Sequence, residues 1–164
     1  MKLGIISDTH SRETWFIRAL DTLRDHNISV LAHCGDLTDF SMCRHMRGFQ
    51  VFYAFGNGDF ATGAIRLSLQ QLNPASEADY SLEFELEGKS FFICHGNNTA
   101  LLRTALASGS YDYVLRGHTH DFDDTRLGRS RLINPGALGD RMRPHRFAVL
   151  DLADDSLSTF ELKE

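Results

Sequence analysis

Leu3-Gly4-Ile5-Ile6-Ser7-Asp8-Thr9-His10 is an apolar run that closes on a carboxylate and an imidazole two residues apart. The same device recurs along the chain. Gly35-Asp36 follows Val30-Leu31-Ala32, and Gly56-Asn57 follows Val51-Phe52-Tyr53-Ala54-Phe55. His95-Gly96 follows Phe91-Phe92-Ile93, and Gly117-His118-Thr119-His120 follows Tyr113-Val114-Leu115. Read as buried strands, these runs deliver two Asp, one Asn and four His to the loops at their ends. In open α/β sheets, ligands gather at the carboxyl ends of strands. Carboxylates and imidazoles brought together there need a positive partner, so the pattern points to a metal site.

The rest of the chain reads around those runs. Residues 2–7, 29–34 and 50–55 are strands in the first third. Arg12 to His26 places Trp15, Phe16, Ala19, Leu20 and Leu23 on one helical face. Asp39 to Arg47 reads as a short helix with Phe40, Cys43 and Met46 at spacing three. Ser81 to Glu87 alternates Leu82, Phe84 and Leu86 with Glu83, Glu85 and Glu87, the period-two pattern of a half-exposed strand. Gly88-Lys89 turns it back into a buried partner over Ser90 to Cys94. Thr99 to Ser108 reads as a helix and 111–116 as a strand. Further strands are expected near 121–127, 130–133, 146–152 and 157–162. Alternating strand and helix followed by a strand-rich half predicts an α/β sandwich with helices outside.

Length and composition set bounds. At 164 residues, the expectation is one domain over 1–164, large enough to bury a core without disulfides or structural metals. A net charge of −5 argues against long nucleic acid as a partner, since such binders carry a basic face. Cys34, Cys43 and Cys94 form no CxxC pair and are odd in number, which fits buried thiols in a reducing cytoplasm. The N-terminal apolar run is too short for a secretory signal. No stretch approaches the roughly 20 residues of a membrane span. A soluble cytoplasmic protein is therefore expected.

A catalytic pair of metal ions sits roughly 3.5–4 Å apart. It calls for a carboxylate shared between the ions, with nitrogen and oxygen donors completing each one. Asp8 and His10 can face one ion, and Gly35 lets the backbone turn Asp36 close to the site. Imidazole, carboxylate and amide oxygen suit Mn²⁺, Fe²⁺, Co²⁺, Ni²⁺ or Zn²⁺. The lack of thiolate in the set argues against a structural zinc knuckle.

The order of the motifs resembles the calcineurin-like metallophosphoesterases. These are DxH (Asp8, His10), GDxxD (Asp36, Asp39), GN (Gly56, Asn57), HG (His95, Gly96) and GHxH (His118, His120). The small single-domain bacterial and archaeal phosphodiesterases look most similar, and Asn134-Pro135-Gly136 also resembles that subgroup. The likeness covers nearly the whole chain. It implies two mixed β-sheets flanked by helices and two divalent metal ions, with manganese the first choice. It also implies that Asp8, His10, Asp36 and His120 hold one metal, and that Asp36, Asn57, His95 and His118 hold the other. Asp36 would be the bridge. The implied reaction is in-line attack on phosphorus by a hydroxide shared between the metals. Two ions, two aspartates and that hydroxide leave the site near +1, which suits a phosphate.

This chain departs from the pattern at one point. Many relatives carry a histidine after the GN, which the resemblance assigns to protonating the leaving group or steadying the transition state, where this sequence reads Gly56-Asn57-Gly58-Asp59. Glycine has no acid chemistry, which implies weaker catalysis for poor leaving groups. Asp36, Asn57 and Asp59 are the candidates for direct catalytic roles. Asp59 either supplies an acid or holds the loop through backbone hydrogen bonds. Asp39 reads as a helix cap, and His33 as a packed or supporting residue. His26, His45 and His145 read as solvent-facing. Asn97 and Asn98 either touch substrate or cap the helix near Thr99. Arg12, Arg116, Arg141 and Arg143 are candidates for gripping phosphate.

The leading expectation is a metal-dependent phosphodiesterase acting on a small phosphate ester, with a homo-oligomer open. The alternatives are a catalytically weak metal-binding scaffold, like the retromer subunit of this fold, and a nucleotide hydrolase or nuclease.

Overall fold

The computed structural model describes residues 1–163. Its first strands are β1 (Lys2–Ile6), β2 (Val30–His33) and β3 (Gln50–Ala54), parallel neighbours whose continuous apolar runs are buried on both faces. β4 (Glu77–Asp79) extends them at one edge. Two antiparallel strands, β10 (His145–Asp151) and β11 (Ser156–Leu162), extend them at the other. The second sheet holds β5 (Ser81–Leu86), β6 (Lys89–Cys94), β7 (Tyr113–Leu115), β9 (Ser130–Pro135) and β8 (Phe122–Leu127), in that spatial order. Parallel and antiparallel pairs occur in both sheets, as the resemblance implies.

The core has three parts. Leu3, Ile5, Ala32 and Phe52 of the first sheet meet Phe84, Phe91, Ile93 and Ile133 of the second. A line of rings runs through this contact, with Phe52, Phe84, Phe91 and Tyr113 stacked in sequence at 3.8, 5.0 and 4.7 Å. Helix α1 (Glu13–Asp25) buries Phe16, Ala19, Leu20 and Leu23 on the outer face of the first sheet. Helix α2 (Thr62–Leu72) joins it there through Ile65 and Leu69. Helix α3 (Thr99–Ser108) covers the second sheet through Leu102 and Ala105. The result is an α/β sandwich in which both sheets carry helices on their outer faces.

Several elements differ from the sequence reading. The 39–47 segment is a seven-residue 3₁₀ helix, Phe40–Met46. Its threefold period buries Cys43 and Met46 as expected, but Phe40 is 46% exposed and Met42 is buried. The stretch 61–80, where the sequence shows no clear period, contains α2 and β4. Only Ile65 and Leu69 are buried in that helix, so it shows almost no apolar stripe. The β5–β6 turn is Glu87-Gly88, one residue earlier than expected, and both residues have positive φ. A two-residue hairpin loop of that kind matches the twist of its strands. His26 is exposed, as read. His45 and His145 are not free in solvent. His45 Nε2 meets Glu13 at 2.7 Å, while His145 stacks on Trp15 at 4.1 Å and donates from Nδ1 to the Leu138 carbonyl.

Candidate metal centre

All five polar islands leave the carboxyl ends of parallel strands. Asp8, Asp36 and Asn57 follow β1, β2 and β3 of one sheet. His95 and the His118-His120 pair follow β6 and β7 of the other. Because the sheets face each other, residues more than a hundred apart in sequence meet at one edge. Five of the seven expected ligands have left-handed backbone: Asp8 (φ 51°), His10 (46°), Asp36 (58°), His118 (71°) and His120 (61°). Such conformations are uncommon outside glycine and collect at functional sites.

Two groups of ligand atoms form there, Asp8–His10–His120 and Asp8–Asp36–His95, each with its atoms within 4.8 Å of one another. Asp8 Oδ1 lies 3.3 Å from His120 Nε2 and 3.7 Å from His10 Nε2. Those two nitrogens are 3.1 Å apart. Asp36 Oδ2 is 3.5 Å from His95 Nε2 and 3.9 Å from His10 Nε2. His118 is exposed, with its ring 5.0 Å from that of His95, and its backbone N–H donates to Asp8 Oδ2 at 3.0 Å. Asn57 is exposed between Gly56 and Gly58.

The donors fit divalent cations. Asp8 Oδ1 and His95 Nε2 are buried with no hydrogen-bond partner among the described residues. Leaving such atoms unpaired costs about 1–3 kcal/mol each. His95 Nδ1 donates to the Cys34 carbonyl at 2.7 Å, which leaves the Nε2 lone pair free to coordinate. His120 Nδ1 donates to Asp140 at 2.7 Å with the same result. Carboxylate and carbonyl partners behind ligating histidines are the usual supporting arrangement. Burial pushes the Asp8 carboxyl up, but His10, Ser7, His95 and His120 outweigh it and hold the group below its ordinary value. Asp8 in turn raises the His10 imidazole.

Close approach explains the neighbouring glycines. A Cβ on Gly117 would sit 1.8 Å from Ser7 Oγ and 2.6 Å from Asp8 Oδ2. One on Gly56 would sit 2.0 Å from Asp36 Oδ1.

Asp59 is turned toward its own loop. Its Oδ2 accepts from Asp36 N–H, Gly56 N–H and the Tyr53 hydroxyl at 2.9, 2.8 and 2.8 Å, and its Oδ1 accepts from Thr38 N–H at 2.9 Å. With both oxygens engaged and the residue 5% exposed, the geometry matches loop bracing and does not place an acid at the site. His33 is also a support. Its Nδ1 accepts from Gly35 N–H, its Nε2 donates to Thr9 Oγ1, and burial pushes its pKa down to about 4. Asp39 and Asn98 cap helices through Ser41 N–H and Leu101 N–H.

Sequence reading missed Asp140, Ser7 and Tyr53. Ser7 donates to Asp8 Oδ2 at 2.6 Å. Asp140 belongs to a loop pinned under β1 by Leu138 N–H to the Ser7 carbonyl and Gly139 N–H to the Asp8 carbonyl. No spacing in the sequence announces that contact. Of the four arginines, Arg143 pairs with Asp121 and Asp140 and lines a cavity beside His120 together with Arg146. Arg116 pairs with Asp123. Arg12 lines a surface hollow with Ser11, and Arg141 is exposed.

Fold and ligand geometry together define a metallophosphoesterase-type protein. The family model for the calcineurin-like phosphoesterase superfamily domain matches residues 1–155, and the chain belongs to that family. It is 30% identical over 138 residues to Phosphodiesterase MJ0936 of Methanocaldococcus jannaschii, covering 83% of each protein. A solved structure of an archaeal phosphodiesterase is similar with a TM-score of 0.94 at 27% identity, over 99% of this chain and 100% of that one. Vps29 of Chaetomium thermophilum shares the fold with a TM-score of 0.72 at 14% identity, over 99% of this chain and 89% of its own. No helix among the described residues is long and apolar enough to cross a membrane.

Proposed function

We propose that this protein is a phosphodiesterase that hydrolyses a small phosphate ester at a pair of divalent ions, with manganese as the working metal. The observation that carries the reading is the pair of buried, unpartnered atoms Asp8 Oδ1 and His95 Nε2, set among His10, Asp36 and His120. Asp8, His10, Asp36 and His120 are assigned to one ion, and Asp36, Asn57, His95 and His118 to the other. When bound, such ions lower the pKa of a shared water toward neutrality and neutralise the non-bridging phosphate oxygens.

The chain's own residues supply orientation. Asp140 and the Cys34 carbonyl hold His120 and His95 with Nε2 facing the site. Asp36 is fixed from two sides. Its N–H is held by Asp59, and its Oδ1 accepts from Gly58 N–H at 2.7 Å. Asp59 is therefore assigned a positioning role. In-line attack by water forms one P–O bond as the ester P–O bond breaks, with no covalent intermediate on the protein. The cysteines fit that course, since all three are buried and burial pushes Cys94 up to about 11 and Cys43 up to about 12. A diester is favoured because the M. jannaschii relative is named a phosphodiesterase, and Gly58, which offers no acid, favours esters with good leaving groups.

The test uses metal-stripped protein with Mn²⁺, Ni²⁺, Zn²⁺ or Mg²⁺ added singly, on bis(p-nitrophenyl) phosphate and p-nitrophenyl phosphate. The expected result is metal-dependent turnover of the diester above the monoester, abolished in Asp36→Ala. A preference for the monoester would overturn the phosphodiesterase reading in favour of a phosphatase. Stoichiometric metal binding without any turnover would favour a scaffold.

A further inference from the structure

A cavity of about 220 Å³ opens beside His95. It is lined by Phe55, Tyr80, Cys94, Asn97 and Leu101 among others. Among the described residues its titratable walls are His95, Cys94 and Tyr80, and no Lys, Arg, Asp or Glu lines it. Cys94 is a buried thiol, which leaves an uncharged chamber next to a ligand of the proposed metal site.

Its aromatic wall is built by the fold. Phe55 N–H donates to the Asp79 carbonyl, which ties the end of β3 to the end of β4 and sets Tyr80 against Phe55. The two rings meet edge to face, 5.5 Å apart at 78°. Phe55 is buried, but Tyr80 is 66% exposed, a large exposure for a ring already in contact with another. The polar end of the chamber comes from the loop after His95. Asn98 is occupied capping α3, whereas the Asn97 amide is exposed and makes no side-chain hydrogen bond among the described residues. Pockets for drug-sized ligands run about 300–1,000 Å³, so this chamber takes a single ring system.

We infer that this chamber is a specificity subsite for a neutral planar ring on the ester, such as a nucleobase or an aryl group, stacked on Tyr80 with its polar edge read by Asn97. The inference rests on the phosphodiesterase reading, since the phosphate must lie at the metal ligands for the ring to reach the chamber. An uncharged lining of rings and amides suits such a group, and the charges beside it are paired, Arg66 over the Phe55 ring with Asp79 and Arg116 with Asp123. Stacking tolerates any ring, whereas a free amide discriminates by its hydrogen-bonding edge.

The test is direct binding by calorimetry to manganese-loaded protein. The probes are methyl phosphate, phenyl phosphate and adenosine 5′-monophosphate. The wild type is expected to bind at least one ring-bearing probe about five- to twentyfold more tightly than methyl phosphate. Tyr80→Ala is expected to erase most of that advantage and Tyr80→Phe to retain it, while affinity for methyl phosphate stays unchanged in both. Asn97→Ala, on an exposed residue with no structural partner, should weaken adenosine 5′-monophosphate more than phenyl phosphate. Preference for the nucleotide assigns the ring as a base, and preference for phenyl phosphate assigns an aryl ester. Equal affinity of the wild type for all three probes would overturn the subsite while leaving the phosphodiesterase reading intact. Failure of every probe to bind protein that still hydrolyses bis(p-nitrophenyl) phosphate would overturn the subsite alone, and absence of that turnover as well would overturn the phosphodiesterase reading.

Discussion

The Nδ1 of His120 donates to Oδ2 of Asp140 across 2.7 Å, tying one imidazole of the site to a carboxylate twenty residues further along the chain. Asp140 is itself fixed by Met142 N–H at 2.7 Å and by Arg143 at 3.1 Å. These donors, led by the Met142 amide, hold its carboxyl far below the ordinary value. Partners of this kind typically contribute 10–100-fold in metal affinity. Asp140→Ala is expected to weaken Mn²⁺ binding by about that factor in a calorimetric titration, and also to lower the melting temperature of the metal-free protein, since a carboxyl held below its ordinary value stabilises the fold at neutral pH. Unaltered metal affinity would show that His120 is oriented by packing alone.

Asp59 separates a brace from an acid. Asp59→Ala strands three backbone N–H groups and the Tyr53 hydroxyl. At about 1–3 kcal/mol for each unsatisfied buried group, even partial rescue by water leaves a cost of about 3 kcal/mol. Urea denaturation should show that loss. In Asp59→Asn, which keeps one oxygen acceptor, the pH profile of kcat should retain the shape of the wild type with a lowered plateau. Selective loss of the limb governed by an acid would instead make Asp59 the proton donor.

Gly117→Ala tests the close approach of the loop after β7 to the loop after β1. The added methyl has to displace Ser7 Oγ and Asp8 Oδ2, so the expected result is about 1–3 kcal/mol of destabilisation together with reduced metal binding and turnover. Gly63→Ala, at a helical position with open space around it, serves as the control and should stabilise by about 0.4–1 kcal/mol. Equal behaviour of the two variants in thermal melts would contradict the packing described for Gly117.

Divalent ions should raise the melting temperature. An ion that binds the folded state at a hundred times its Kd adds about 2.7 kcal/mol, which for a chain of this size corresponds to about 5–10 °C. The gain should vanish with EDTA and in Asp8→Asn. A Tm indifferent to every divalent ion would mean that the unpartnered Asp8 and His95 atoms are satisfied some other way.

Acid should weaken the fold through carboxylates away from the site. Asp124 accepts from Arg131 at 2.7 and 2.8 Å, and that guanidinium holds its carboxyl below the usual value. Ser90 and Arg129 do the same for Asp112. A depressed folded pKa means that the unfolded chain binds the proton first, so this stability is complete above an ordinary carboxylate pKa of about 3.9 and is lost as pH falls through the lower folded values. The Tm should begin to fall below about pH 6.5, where the unfolded chain protonates His33 while the folded one keeps it neutral down to about 4, and should fall further below about pH 4 as the carboxylates protonate. Asp124→Asn should start from a lower Tm and fall less steeply.

The sequence by itself determined every strand but β4, the sheet-covering face of α1 and the identity of the polar islands. Apolar runs with period-two or helical spacing carry that information locally, and a carboxylate or imidazole closing such a run is visible without coordinates. Short elements with little burial were not legible. Helix α2 buries only Ile65 and Leu69, and β4 is three residues long. Only the tertiary structure decided which atoms meet. The facing of the sheets brings Asp8 within 3.3 Å of His120, and the pinned 136–140 loop sets Asp140 behind that histidine. It also turned Asp59 into the loop and left Asp8 Oδ1 and His95 Nε2 without partners. These are contacts between residues far apart in sequence, set by strand order and packing, and a pattern read along one chain does not contain them.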